Sequence, residues 1–75
     1  MKLVDAINLA VKSLQDVEVG QQNITKHDIL KKMQKLDSSV KDGYVIGRAI
    51  FNLVVEGYLN KTGKKGNANL YERIK

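Results

Sequence analysis

Seventy-five residues, 43% apolar and 28% charged, are the material of one small globular domain spanning residues 1–75 and exclude a disordered chain. Without cysteine there is no disulfide or thiolate metal site, and no apolar run approaches the roughly 20 residues that cross a bilayer. The net charge of +5 is uneven: residues 1–24 hold two lysines and three acids, whereas residues 25–75 hold eleven basic and five acidic residues, a local balance of +6 that suggests a polyanionic partner.

The stretch MKLVDAINLAVKSLQD interleaves aspartates and polar residues with its apolar ones, so it is not expected to be a signal peptide, and an intracellular location is expected. Val4, Ile7, Val11 and Leu14 recur in it at helical spacing, with Leu3 and Ala10 beside them. Asp5, Asn8 and Lys12 fall on the other side. This predicts an amphipathic helix in which Leu9 lies off the stripe. VEVGQQN then reads as a loop with a turn glycine.

Thr25 and Asp28 form a capping-box pattern ahead of a second stripe, Ile29, Leu30, Met33 and Leu36. Lys31, Lys32 and Lys35 lie away from that stripe, and the helix should stop near LDSS. Ser39 with Asp42 offers a cap for a third helix. Its inner face would be Ile46, Ile50, Leu53 and Val54. The opposite face would carry Lys41, Val45, Arg48 and Asn52 at spacings of four, three and four, flanked by Tyr44. Gly43 and Gly47 would each cost about 1 kcal/mol inside a helix. Either the helix starts only at Tyr44, or small residues serve a close approach there. A hairpin turn at Asp42-Gly43 is excluded by the helical period of the apolar residues that follow.

Gly57 is expected to end the helix. Tyr58 and Leu59 would open a strand, LYERI would form a second, and KTGKKGNAN would be the hairpin tip between them. Alternation in LYERI puts Leu70 and Ile74 on one face but brings Glu72 with them. The expected core is Ile7, Val11, Ile29, Leu30, Met33, Ile46, Ile50, Leu53, Leu59 and Ile74.

The fold class is thus mainly α with a small β-hairpin: three helices plus a two-stranded wing. That order resembles a winged helix-turn-helix DNA-binding domain from Leu3 to Ile74, most specifically in IGRAIFNLVVEGYL, where an apolar third helix runs into glycine, an aromatic residue and leucine. The element lengths and the KTGKKG wing are also similar to the globular domain of linker histones, although NANLYERI is longer than that family's wing end. The resemblance implies sequence-tolerant binding to double-stranded DNA, as a small transcriptional regulator or a chromosome-organising factor.

Residue chemistry supplies the roles. Arginine can contact guanine bidentately, asparagine can pair with adenine, and valine can meet a thymine methyl, so Lys41, Tyr44, Val45, Arg48 and Asn52 are candidates for the major groove. In the wing, Lys61, Thr62, Lys64, Lys65, Asn67 and Asn69 are candidates for phosphates or an adjacent minor groove. One reading helix per chain calls for a homodimer, an array or many copies, with Leu9 and Val55 as apolar contacts. A rival of another class is a protein-interaction module whose lysines meet an acidic protein surface. RNA is the weaker expectation, since Phe51 and the three tyrosines form no evident stacking platform. No catalytic constellation is expected: the serines lack a base partner, and TGKKG lacks the spacing of a nucleotide-hydrolase phosphate loop. His27 has no companion ligand, so neither metal, cofactor nor small-molecule substrate is expected.

Overall fold

The computed structural model describes all residues from Met1 to Lys75. Its elements are α1 (Leu3–Ser13), continued by a 3-10 turn at Leu14–Asp16, then α2 (Lys26–Leu36), α3 (Tyr44–Val55), and a hairpin of β1 (Leu59–Lys65) and β2 (Ala68–Arg73). This is the winged helix-turn-helix arrangement of three helices and a two-stranded antiparallel wing. No helix is long and apolar enough to cross a membrane.

The inner face of α1 is rotated from the expected stripe. Ala6, Ala10 and Ser13 are buried and lead into Leu14 and Val17, while Ile7 and Val11 are only half-buried and Val4 is 60% exposed. The reason is steric. Small side chains let the α1 backbone approach its neighbours, so the bulkier residues flank the seam instead of filling it. Leu9 packs against the core from the other flank and is not a free apolar contact. The one buried polar side chain, Ser13, is satisfied within the helix, its Oγ donating to the Ala10 carbonyl at 2.6 Å.

α2 begins as expected. The Thr25 hydroxyl accepts from the Asp28 amide at 3.2 Å, and the Asp28 carboxylate accepts from the Thr25 amide at 3.0 Å. Ile29, Leu30 and Met33 are buried, but Leu36, in the last turn, is exposed. The turn into α3 is held by Asp37, whose Oδ1 accepts from both the amide and the hydroxyl of Ser39. Those bonds hold the Asp37 carboxyl below the ordinary aspartate range. Val40 plugs the turn into the core, and Gln34 Nε2 donates to its carbonyl at 3.1 Å.

The expected Ser39–Asp42 cap does not form. Ser39 is committed to Asp37, Asp42 pairs with Lys26, and α3 starts at Tyr44 with extended Gly43 as its cap residue and no side-chain cap bond. Ile46, Ile50 and Leu53 are buried with Ala49, and Val54 is half-buried at the edge. Gly57 ends the helix with φ +82, the left-handed conformation in which glycine carries no Cβ penalty.

The hairpin tip is far shorter than KTGKKGNAN. β1 runs through Lys65 and pairs Lys65 with Ala68, so the turn is only Gly66-Asn67, with Gly66 at φ +62. A glycine at the first position of a two-residue loop suits a primed hairpin turn, whose twist matches the strands. Tyr58 precedes the strand. In β2 the inward residue is Tyr71, not Leu70, and Ile74 lies outside the core at 48% exposure. This phase keeps Glu72 off the buried face. It also turns Arg73 inward, where its guanidinium donates to the carbonyls of Leu14 and Val17.

The loop VEVGQQN carries an element that its composition hides. Ile24 is buried and exchanges two backbone hydrogen bonds with Tyr71, at 2.8 and 2.9 Å, while Gly20 and Gln21 bond to the Arg73 backbone. The outer edge of β2 is thereby covered by a short third strand-like segment, which protects an edge otherwise open to pairing.

Candidate nucleic-acid interface

The outward face of α3 is not the one its charged residues suggest. With the core on Ile46, Ala49, Ile50 and Leu53, the opposite direction belongs to Tyr44, Arg48, Phe51 and Val55, at spacings of four, three and four. Tyr44 is 79%, Phe51 61% and Val55 62% exposed. Of the expected readers, Arg48 and Tyr44 belong to this face. The guanidinium of Arg48 lies over the Tyr44 ring, 5.9 Å from its centroid, one helical turn along. Val45 instead packs half-buried against the core, and Asn52 is half-buried on the same edge of the helix. Lys41 precedes the helix, exposed in the turn, beside Tyr44 and Val45. Phe51 has neither charge nor hydrogen-bonding group, and sequence reasoning gives it no role. Its helical phase relative to Leu53 and Ile50 is the signal that identifies it as outward.

The wing is organised by a bulge. Lys61 pairs with Tyr71, and the register then slips so that Gly63 pairs with Leu70 and Lys64 with Asn69. Without the extra residue, Lys61 would share its face with Lys65. With it, Lys61 and Lys64 share the inward face of the hairpin with Asn69 and Tyr71, and Lys65 projects from the other face. The bulged residue is Thr62, whose hydroxyl donates to the Leu70 carbonyl at 3.4 Å. The Asn69 amide donates to the Tyr71 hydroxyl, also at 3.4 Å.

α3 and the wing meet across a cleft in which Gly47 and Phe51 face Lys61 and Asn69. A second cleft joins the wing turn to the start of α2, with Asn67 and Asn69 opposite Lys26, His27 and Asp42. Lys26 and His27 are thus brought to the wing by the fold, although 40 residues separate Asn67 from His27 in the chain. Gly47 is half-buried, and a methyl group added there meets nothing within 4 Å. It is therefore not required for packing within the chain. Gly47→Ala is expected to raise stability by about 0.5–1 kcal/mol through helix propensity, read as a higher Tm. If the cleft admits a ligand backbone, the same change weakens binding.

Lys26 Nζ lies 2.8 Å from Asp42 Oδ1, and this is the chain's one ion pair. Lys26, together with the Gly43 amide and His27, holds the Asp42 carboxyl below the ordinary aspartate range. Asp42 thus titrates lower folded than unfolded. Its contribution to stability is fully present above the ordinary aspartate range and is lost as pH falls through it to the folded pKa. Both partners are solvent-exposed, so the contribution is small and is screened by salt. Parent and Asp42→Asn are expected to converge in stability as pH falls below that range. Urea midpoints at neutral and acid pH check this, and a constant gap at every pH contradicts it.

Lys41, Arg48, Lys61, Lys64 and Lys65 have no carboxylate partner. Three metal-ligating side chains do not gather anywhere in the chain. The chain matches no protein-family model, no curated protein and no solved structure.

Proposed function

We propose that the protein binds double-stranded DNA, as a small transcriptional regulator or chromosome-organising factor, with α3 in the major groove and the wing on phosphates or the adjacent minor groove. The observation that carries this reading is the set of unpaired cations flanking α3. Lys41 stands just before its start, Arg48 on its outward face, Lys61 across the cleft with Lys64 on the same face of the wing, and Lys65 on the wing's other face. Lysine is a flexible point charge suited to phosphate, and arginine is the residue among them able to read a base edge.

The test is binding to mixed-sequence duplex DNA across salt concentrations. The Lys64→Ala/Lys65→Ala pair is expected to weaken all sequences about equally. It should also flatten the slope of log affinity against log salt by roughly 0.9 for each phosphate that is no longer neutralised. Arg48→Ala is expected to cost about 1–3 kcal/mol of affinity if the guanidinium makes a bidentate base contact, and to leave Tm unchanged because the side chain is exposed. Parental affinity and slope in the double variant would remove the wing from the interface.

A second reading, a protein-interaction module, is favoured by a different observation: Tyr44, Phe51 and Val55 present an apolar surface on α3 with only one charge among them. Competition by unrelated duplex DNA separates the two readings, since an acidic protein partner would not be displaced by it at moderate salt.

A further inference from the structure

We infer that the outward face of α3 reads the C5-methyl groups of thymine in the major groove, with Phe51 as the central reader and Val55 and Tyr44 on either side. This rests on the duplex-binding proposal above and names what that helix would recognise. A helix that docked only through charge would not need its most exposed direction occupied by two aromatic rings and a valine. Of these only the Tyr44 hydroxyl can hydrogen-bond, so base edges cannot be matched along this face by donors and acceptors, apart from Arg48. The one apolar group that any base pair offers in the major groove is the thymine methyl. Phe51 lies a helical rise of about 10 Å from Tyr44 and about 6 Å from Val55, so the three side chains span roughly four to five base-pair steps of about 3.4 Å.

The remaining contacts fit the same pose. Arg48 sits between the apolar groups, its guanidinium already held over the Tyr44 ring, available to a guanine flanking the thymines. Lys61 lines the cleft beside Phe51, where a phosphate of the strand entering the groove would pass. The half-buried Val45, a methyl reader on sequence grounds, is replaced in that role by Phe51. Duplexes rich in thymine are the expected targets, and they are selected from the major-groove side rather than by minor-groove width.

Uracil differs from thymine only by that methyl, so the experiment removes it. Two duplex pools of identical mixed sequence are prepared, one with thymine and one with deoxyuridine at every thymine position. Their affinities for the full chain are compared by fluorescence anisotropy at one salt concentration. The expected result is weaker binding of the uracil pool, by about fourfold for each methyl group touched. Phe51→Ala is expected to bind the thymine pool more weakly than the parent does, and to lose less than the parent on going to uracil, because only the methyl contacts of Val55 and Tyr44 remain to be removed. Val55→Ala should show a smaller version of the same pattern. Circular dichroism confirms that these exposed positions leave the fold intact. Equal affinity of the parent for both pools overturns the methyl reading and leaves duplex binding standing. Failure of both pools to bind at low salt overturns the duplex proposal itself, and the inference with it.

Discussion

Leu53→Ala is expected to destabilise the protein by about 2–5 kcal/mol, the range for truncating a fully buried leucine. Leu53 has no exposed surface and sits on the inward face of α3 within a core of fifteen apolar side chains. At roughly 0.05–0.15 kcal/mol per residue, a chain of this length has only about 4–11 kcal/mol of total stability. The substitution therefore removes a large share of it, and Tm should fall by at least about 10 °C. The control lies two residues away. Phe51 is a larger apolar side chain on the same helix, yet Phe51→Ala should change stability by no more than about 0.5 kcal/mol, because the ring is mostly in water. Thermal denaturation of the two variants side by side fixes the helical phase of α3. Equal destabilisation would mean that its outward face has been misplaced.

That contrast also shows which parts of the molecule are legible in the sequence. α2 is legible almost completely, because its capping box is a local pattern and Ile29, Leu30 and Met33 are large residues on one side. The buried face of α3 is legible because Ile46, Ile50 and Leu53 are likewise large residues on one side, although its expected cap does not form. In α1 the sequence points to a face rotated toward the larger residues. Hydropathy ranks valine and isoleucine above alanine, but the contact seam is chosen by close backbone approach, which favours Ala6, Ala10 and Ser13. Nothing local distinguishes an alanine that packs from one that does not.

The candidate interface is legible only in part. Composition identifies the lysines of the wing, but their faces depend on the bulge at Thr62, which is a property of strand pairing and not of the residues themselves. The pairing of Ile24 with Tyr71 joins positions 47 apart, and a single isoleucine among polar residues has no period from which to infer a strand. On α3, charge and hydrogen-bonding capacity point toward Val45, Arg48 and Asn52. The buried set Ile46, Ala49, Ile50 and Leu53 fixes the outward direction roughly 60° away, on Tyr44, Arg48, Phe51 and Val55.

Arg73→Met is expected to cost about 2–4 kcal/mol, more than any other substitution of a charged residue in the chain. Its guanidinium donates to the carbonyls of Leu14 and Val17, at the start and just past the end of the 3-10 turn, and its Nε donates to the Lys75 carbonyl at 3.0 Å. Hydrogen bonds from a charged donor are each worth about 1.5–3 kcal/mol, and methionine replaces the stem but leaves the Val17 carbonyl unpaired, while the Leu14 carbonyl keeps only the Val17 amide. The contact fastens the last residue of β2 to the end of α1, so its removal should also loosen the sheet edge. The amides of Ile24 and Tyr71, which bond to each other's carbonyls, should exchange with solvent faster relative to those of α2. Arg73→Lys restores the charge but not the planar fork, and should recover only part of the stability. In the DNA measurement Arg73 should behave unlike the wing lysines. Because its charge is spent on internal carbonyls, Arg73→Met should weaken binding through a less ordered wing while leaving the salt slope at the parental value. A slope that flattens by roughly 0.9, one phosphate's worth, would instead place Arg73 on a phosphate. Full stability in Arg73→Lys would mean that one hydrogen bond to these carbonyls is sufficient.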